Sequence, residues 1–297
     1  MVKKADKKIV AEKGEAIENV AISATMQRES WQDTGPGSLG VLLPSGHVDK
    51  DGNLHDVLVV KEMTGNEEDL LAGKGPIVSR LNQIIANCTI RIGGIENRLE
   101  VVNAVNEMTA VDRMAALIAI RRISLGDWYS VKVQCPKEKC NETVKFNINL
   151  SEIEMLKMIE PMARSREDKI ASGKIVHWHV MNAGDEEWLA KYKKNKDDKI
   201  TLGMMSRIDS VDGIMGDSGL EHKFMDRDSK KNKRGHDLSI AILKSLPMRD
   251  RNEIRQLFNK HEGSVDTVVE FDCPACENEW ESELDVGQPS FFFPSEI

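Results

Sequence analysis

Five cysteines stand in the 297-residue chain, and four of them fall into two tight pairs. One pair bounds Cys135-Pro136-Lys137-Glu138-Lys139-Cys140 and the other bounds Cys273-Pro274-Ala275-Cys276. A Cys-x(2–4)-Cys turn between two strands is a zinc knuckle, which sets two thiolates on one side of a tight bend. Two knuckles supply four soft ligands, Cys135, Cys140, Cys273 and Cys276, so the spacing predicts one closed, structural Zn2+ site. A catalytic zinc keeps an open position and draws on His or carboxylates, which this set lacks. Two competing readings are four reduced thiols without metal and a redox Cys-x-x-Cys. Packing alone does not explain Cys-Pro at two matched strand ends. A redox pair favours a helix N-terminus, whereas Cys273 and Cys276 read as a β-turn. The fifth cysteine, Cys88, follows an apolar helical stripe and reads as a small buried residue.

Other candidates for chemistry have simpler readings. His177-Trp178-His179 places two histidines on one strand face, but no third ligand stands near, so an ordinary strand is expected. Gly35-Pro36-Gly37 lacks the lysine and following helix of a phosphate loop, and Gly93-Gly94 is a turn. Glu67-Glu68-Asp69 and Asp185-Glu186-Glu187 read as acidic first turns of helices. No nucleophile–base pair is found, so no catalytic residue is assigned, and neither enzymatic activity nor a small-molecule substrate is expected.

Composition narrows the class further. Hydrophobic residues make up 40% and charged residues 30%, enough for a real core, and the length fits one large or two ordinary domains. A net charge of −8 with 5% aromatics argues against nucleic acid as a partner. No run approaches about 18 consecutive apolar residues, so no membrane span is expected. Met1 to Glu18 is rich in Lys and Glu without an apolar segment, which gives no signal for secretion. An odd cysteine count points to a reducing compartment.

These ligands need elements to position them. Leu39 to Pro44, a turn at Val48 to Asn53, and Val57 to Val60 read as a hairpin. Glu67 to Ala72 begins helical, and Ile77, Leu81, Ile84 and Ile85 keep helical spacing. A further helix from Asp112 carries Met114, Leu117, Ile118 and Ile120, with Thr109 or Asp112 as its cap, and closes at Leu125-Gly126-Asp127. Trp128 to Gln134 alternates as a strand into Cys135. Glu152 to Lys174 is charged and helical in composition. Asp209 to Gly235, with its basic run Lys230 to Arg234, reads as an exposed loop.

The chain also matches itself. Met63 to Ala72 aligns without gaps to Met181 to Ala190, and Asp112-Arg113 stands as far before Cys135 as Asp250-Arg251 stands before Cys273. After the knuckles, Val144, Ile148 and Leu150 correspond to Trp280, Leu284 and Val286. The expected fold is therefore α+β: two repeated helix-plus-β-hairpin units joined by a shared, zinc-ribbon-like site of four cysteines. The expected divisions are an extended arm at 1–38, a first unit at 39–150, a second unit with a long insertion at 151–286, and an aromatic tail at 287–297. A short amphipathic helix over Ala16 to Met26 is an alternative for part of the arm. The tail carries Phe291-Phe292-Phe293, which must be covered either by this chain or by a neighbouring subunit.

Glu62-Met63-Thr64-Gly65-Asn66-Glu67-Glu68-Asp69-Leu70-Leu71, a following helix, and Ile120 to Asp127 running into a cysteine knuckle resemble the baseplate hub family of T4-like contractile-tailed phages. The resemblance covers about residues 39–150 and the second knuckle; the long middle region departs from it. It implies a structural protein of the virion tail baseplate, assembled in the bacterial host cytoplasm. Its implied partners are other baseplate or tail proteins, with copies of itself among the candidates. A transient tail-assembly chaperone is the variant reading. A zinc-ribbon nucleic-acid-binding protein is disfavoured by Glu277, Glu279, Glu281, Glu283 and Asp285 around the second knuckle.

Overall fold

Strand-forming residues between Trp31 and Lys61 build the first layer. In the computed structural model, which describes residues 31–140, 142–192, 198–215, 222–224 and 233–293, they form β1 (Trp31–Asp33), β2 (Ser38–Val48) and β3 (Leu54–Lys61). With β4 (Thr89–Ile92) they make an antiparallel sheet in the order β1-β2-β3-β4. Helices α1 (Gly65–Ala72), α2 (Ile77–Cys88), α3 (Arg98–Glu107) and α4 (Ala110–Leu125) cover it. Several helix starts have a local cause. The backbone N–H of Thr64 donates to Glu67 Oε2 at 2.9 Å in a capping box, Asn97 caps α3, and the Thr109 hydroxyl accepts the Asp112 N–H. Helix α4 is buried on almost every side from Ala115 to Ile120 and forms the spine of a core with Val41, Leu58, Ile84 and Ile85. Gly126, at φ 85°, ends it in a conformation that a Cβ would oppose. The chain then enters the ribbon β5 (Trp128–Gln134) and β6 (Thr143–Asn149).

A short β7 (Met155–Leu156) leads to a second sheet, β8 (Ser165–Lys169), β9 (Ile175–His179) and β10 (Ile208–Val211), with β9 in the middle. Helices α5 (Ala183–Tyr192), α6 (Lys199–Met205), α7 (Lys233–Ser245) and α8 (Met248–His261) accompany it. Its core centres on Trp178, fully buried and 4.9 Å from the Phe258 ring, with Val176, Ile208, Leu243 and Ile254 around them. The chain continues through β11 (Ser264–Val265), which pairs with β7, and the ribbon β12 (Val268–Asp272) and β13 (Glu279–Glu283). The two cores join through backbone and charge: Ala110 N–H donates to Met181 O at 3.0 Å, Ala183 N–H to Met108 O at 3.3 Å, and Arg113 pairs with Glu186.

Three expectations change. Glu152 to Lys174 holds strands β7 and β8 where composition suggested helix. Exposed Ser165, Glu167 and Lys169 alternate with half-buried Arg166 and Asp168 along an edge strand, and pairing with β9 outweighs helix propensity. Asp209 to Gly235 is not one exposed loop: it begins in β10, ends in α7, and buries His222 and Phe224. The arm does not extend to residue 38, because Trp31–Asp33 pairs with β2. Residues 1–30, including Ala16 to Met26, and Lys230 to Asn232 lie outside the described residues.

The aromatic tail is covered by this chain. Phe291 and Phe292 are 1% and 3% exposed, and Phe291 lies 5.2 Å from the Tyr129 ring. Arg121 Nε donates to Phe291 O at 3.0 Å, which satisfies a buried guanidinium of α4. Phe291 and Phe292 are part of the first core and are not free to anchor a neighbour. Phe291→Ala should therefore cost about 3–5 kcal/mol of stability, read as a lowered midpoint in urea unfolding. An unchanged midpoint would mean that the tail only rests on the surface.

Candidate metal centre

The two ribbons end in the two cysteine pairs. Seven consecutive residue pairs run from Trp128↔Asn149 to Gln134↔Thr143, and five run from Val268↔Glu283 to Asp272↔Glu279. Beyond the last rungs, Cys135 N–H donates to Glu142 O at 2.8 Å and Cys273 N–H to Asn278 O at 2.9 Å, so each knuckle opens on a closed pair. Lys139 and Glu277 have φ of 71° and 56°, the two non-glycine residues with positive φ among those described. Left-handed backbone costs about 1–2 kcal/mol for a side chain with a Cβ, and here it is found where each chain turns around its sulfurs. Lys and Glu occupy these positions, so no glycine signal foretold them.

The sulfurs converge. Cys135 Sγ lies 3.7 Å from Cys276 Sγ, and Cys140 Sγ lies 3.7 Å from Cys273 Sγ. All four lie within 4.8 Å of one another. A disulfide needs about 2.05 Å, so all four are free thiols. A tetrahedron with bonds of about 2.3 Å has edges near 3.8 Å, close to the two shorter separations. Each sulfur also accepts a backbone N–H from the residue two positions on: Lys137, Glu142, Ala275 and Asn278. Such bonds favour thiolate over thiol.

Ionisation is shared unequally in so tight a group. At Cys273 burial opposes the charge, but the N–H groups of Ala275 and Cys276 and the neighbouring thiols outweigh it and bring the thiol down to about 7. At Cys135 and Cys276 burial prevails and the thiols titrate above their ordinary range. Cys140 is also raised: the Glu142 N–H works the other way, and the thiols of Cys276 and Cys273 with burial exceed it. Four sulfurs so placed can hold a metal ion, and a divalent cation ionises such thiols together.

The surroundings fix the two ribbons. Phe146 meets Phe271 edge to face at 4.6 Å and Trp280 at 6.1 Å, while Phe271 stacks on its cross-strand partner Trp280 at 5.6 Å. Lys137 Nζ donates to Cys276 O at 3.2 Å, a direct link between the knuckles. Cys88 is fully buried in the first core, and burial pushes its thiol up to about 12, as befits a packing residue.

The histidine pair does not converge on a common centre. His177 Nε2 lies 2.9 Å from Asp212 Oδ1, whereas His179 meets Asp209 at 2.9 Å and the fully buried Asp185 at 3.3 Å. No local pattern signals the pairing of Asp209; the signal for Asp185 is its place in the matched acidic block. Burial opposes charge on His179, and the carboxylates of Asp185 and Asp209 overcome it, raising its pKa to about 9. A raised histidine stabilises in full below its unfolded value of about 6.5 and loses that contribution as pH climbs through about 9. His179→Gln should flatten the decline in melting temperature between about pH 7 and pH 9; a parallel decline in both proteins refutes the assignment.

Similarity to known proteins agrees with this geometry in its extent. The sequence model of a family described as T4 bacteriophage base plate protein matches residues 54–293, a span that holds both knuckles, the second core and the first core apart from β1 and β2. No curated protein and no solved structure matches the chain. Among the described residues no helix is long and apolar enough to cross a membrane.

Proposed function

The chain belongs to the T4 bacteriophage base plate protein family, and we propose that it is a hub-region joint of a contractile tail whose body is stapled by one structural zinc. Membership carries a structural role in a phage baseplate, a place in the virion, and contacts with other tail or baseplate proteins. The joint is the finer reading. The observation that carries it is the meeting of four sulfurs within 4.8 Å from two ribbons at opposite ends of a long stretch of chain. Four thiolates close the shell, so the ion would hold shape and leave no position for substrate. In the proposed division, residues 39–150 and 151–286 are the two stapled units, with β1 and the Phe291–Phe292 segment packed onto the first.

Internal duplication is part of this proposal. Its support is the shared element order: apart from the two-residue β11, which has no counterpart, β2-β3-α1-α2-β4-α3-α4-β5-β6 runs parallel to β8-β9-α5-α6-β10-α7-α8-β12-β13. Matched residues also do matched work. Thr64 N–H donates to Glu67 and Asn182 N–H to Asp185, so the aligned block is a capping box used twice. Asp112 and Asp250, both buried, accept from Ser45 N–H at 2.7 Å and Ser172 N–H at 2.8 Å; Ser45 lies inside β2 where its register with β3 shifts and Ser172 in the turn between β8 and β9, so each carboxylate holds the first hairpin of its own sheet. Two like units that present like knuckles can complete one tetrahedron between them.

Metal analysis of the purified chain should find one zinc per molecule, and none or two would overturn the staple. Cys276→Ser should lose the ion and lower the melting temperature sharply, since metal binding energy at such sites is folding energy. Mass spectrometry of purified particles should detect the chain in mature tails. Finding it in infected-cell extracts and not in particles would instead make it a transient assembly chaperone.

A further inference from the structure

The two ribbons share a register but carry opposite charge. Lys132 and Glu270 each stand three residues before the first cysteine of their knuckle, and Lys145 and Glu281 each stand five after the second. In the ladders Lys132 lies directly opposite Lys145, and Glu270 directly opposite Glu281. The same rung is thus doubly positive in one ribbon and doubly negative in the other. Its neighbours extend the contrast, with Asp272 opposite Glu279 and Glu283 at the end of the acidic ladder.

These rungs point outward. Phe146, Phe271 and Trp280 turn inward and join the ribbons face to face, while Lys132, Lys145, Glu270 and Glu281 are all exposed. Strand alternation puts Trp128, 62% exposed, on the same outer face as Lys132. Like charges directly opposite one another weaken a ribbon, so neither rung is there for the stability of the monomer. An exposed Trp beside them is the kind of side chain that anchors interfaces.

We propose that these faces bind each other between copies of this chain, the Lys132–Lys145 face of one copy seating on the Glu270–Glu281 face of the next. Two faces of matching strand register and opposite charge bring lysines over carboxylates across the contact. Because the two surfaces differ and lie on opposite sides of one module, the contact is head-to-tail and generates a ring or an open stack. The proposal needs the ladder registers alone and is independent of the metal.

Sedimentation velocity of the full chain tests it. Association is expected at low salt and should weaken by about tenfold or more at high salt. Lys132→Glu with Lys145→Glu makes both faces acidic, and Glu270→Lys with Glu281→Lys makes both basic. Each double variant should sediment as a monomer, and an equimolar mixture should associate again. Circular dichroism and bound metal separate a lost contact from a lost fold, and Lys132→Gln with Lys145→Gln serves if a reversal fails to fold. A wild-type chain that is monomeric at every salt concentration would overturn the proposal. So would an assembly indifferent to either reversal, or faces that capture another tail protein while the chain stays single. Absence of zinc would overturn the staple and leave this assay standing.

Discussion

Four sulfurs must meet although two come from before the second core and two from after it. That closure constrains every element between Asn141 and Asp272. The ends of the intervening fold have to lie side by side, at the spacing of two facing ribbons. Long loops are costly to close in entropy, so a bond that closes one restricts the unfolded chain more than the folded one. The aromatic contacts of Phe146 with Phe271 and Trp280 supply the same closure by apolar packing, and Lys137 adds a polar link. Sulfur, ring and ammonium therefore act on one seam.

Much of the remaining polar chemistry serves joints between elements. Asp112 is fully buried, and burial lifts its carboxyl to about 6 even though it accepts from the Ser45 N–H inside β2. Asp185 caps α5 and also faces His179, so one carboxylate fixes a helix start and a strand. Glu262 accepts from Met181 N–H and pairs with Arg207 at 2.8 Å, tying the end of α8 to the same corner. Carboxylates placed this way tie one element to another through backbone N–H groups and cationic side chains.

The parts legible in the sequence were those governed by local pattern. The helix read over Ile77 to Ile85 announced itself by spacing and the one read from Asp112 by spacing and its Thr109 cap, the Asp-Gly turn marked the β2–β3 hairpin, and cysteine spacing marked both knuckles. What escaped was set by distant partners. Ser165 to Lys169 has helix-forming side chains and becomes a strand because β9 offers it a ladder. Phe224 stands in a polar stretch of sequence and is buried by the second core. The approach of the four sulfurs was readable only as an expectation, since spacing says which residues pair within a knuckle and nothing about where two knuckles lie.

The placement of Phe291 has a consequence for how the molecule is made. Phe291 and Phe292 fill the first core beneath α4, and Arg121 waits for the Phe291 carbonyl. A ribosome delivers these residues after every other element of both cores, so the first core emerges with a gap in its centre and a lone knuckle. Domains commonly settle in the order in which they are synthesised. This one can finish only once translation has passed Phe292. Completion of the fold is thereby coupled to synthesis of its last apolar contributors, and a product terminated before them presents an open core to the quality-control machinery of the cell that makes it.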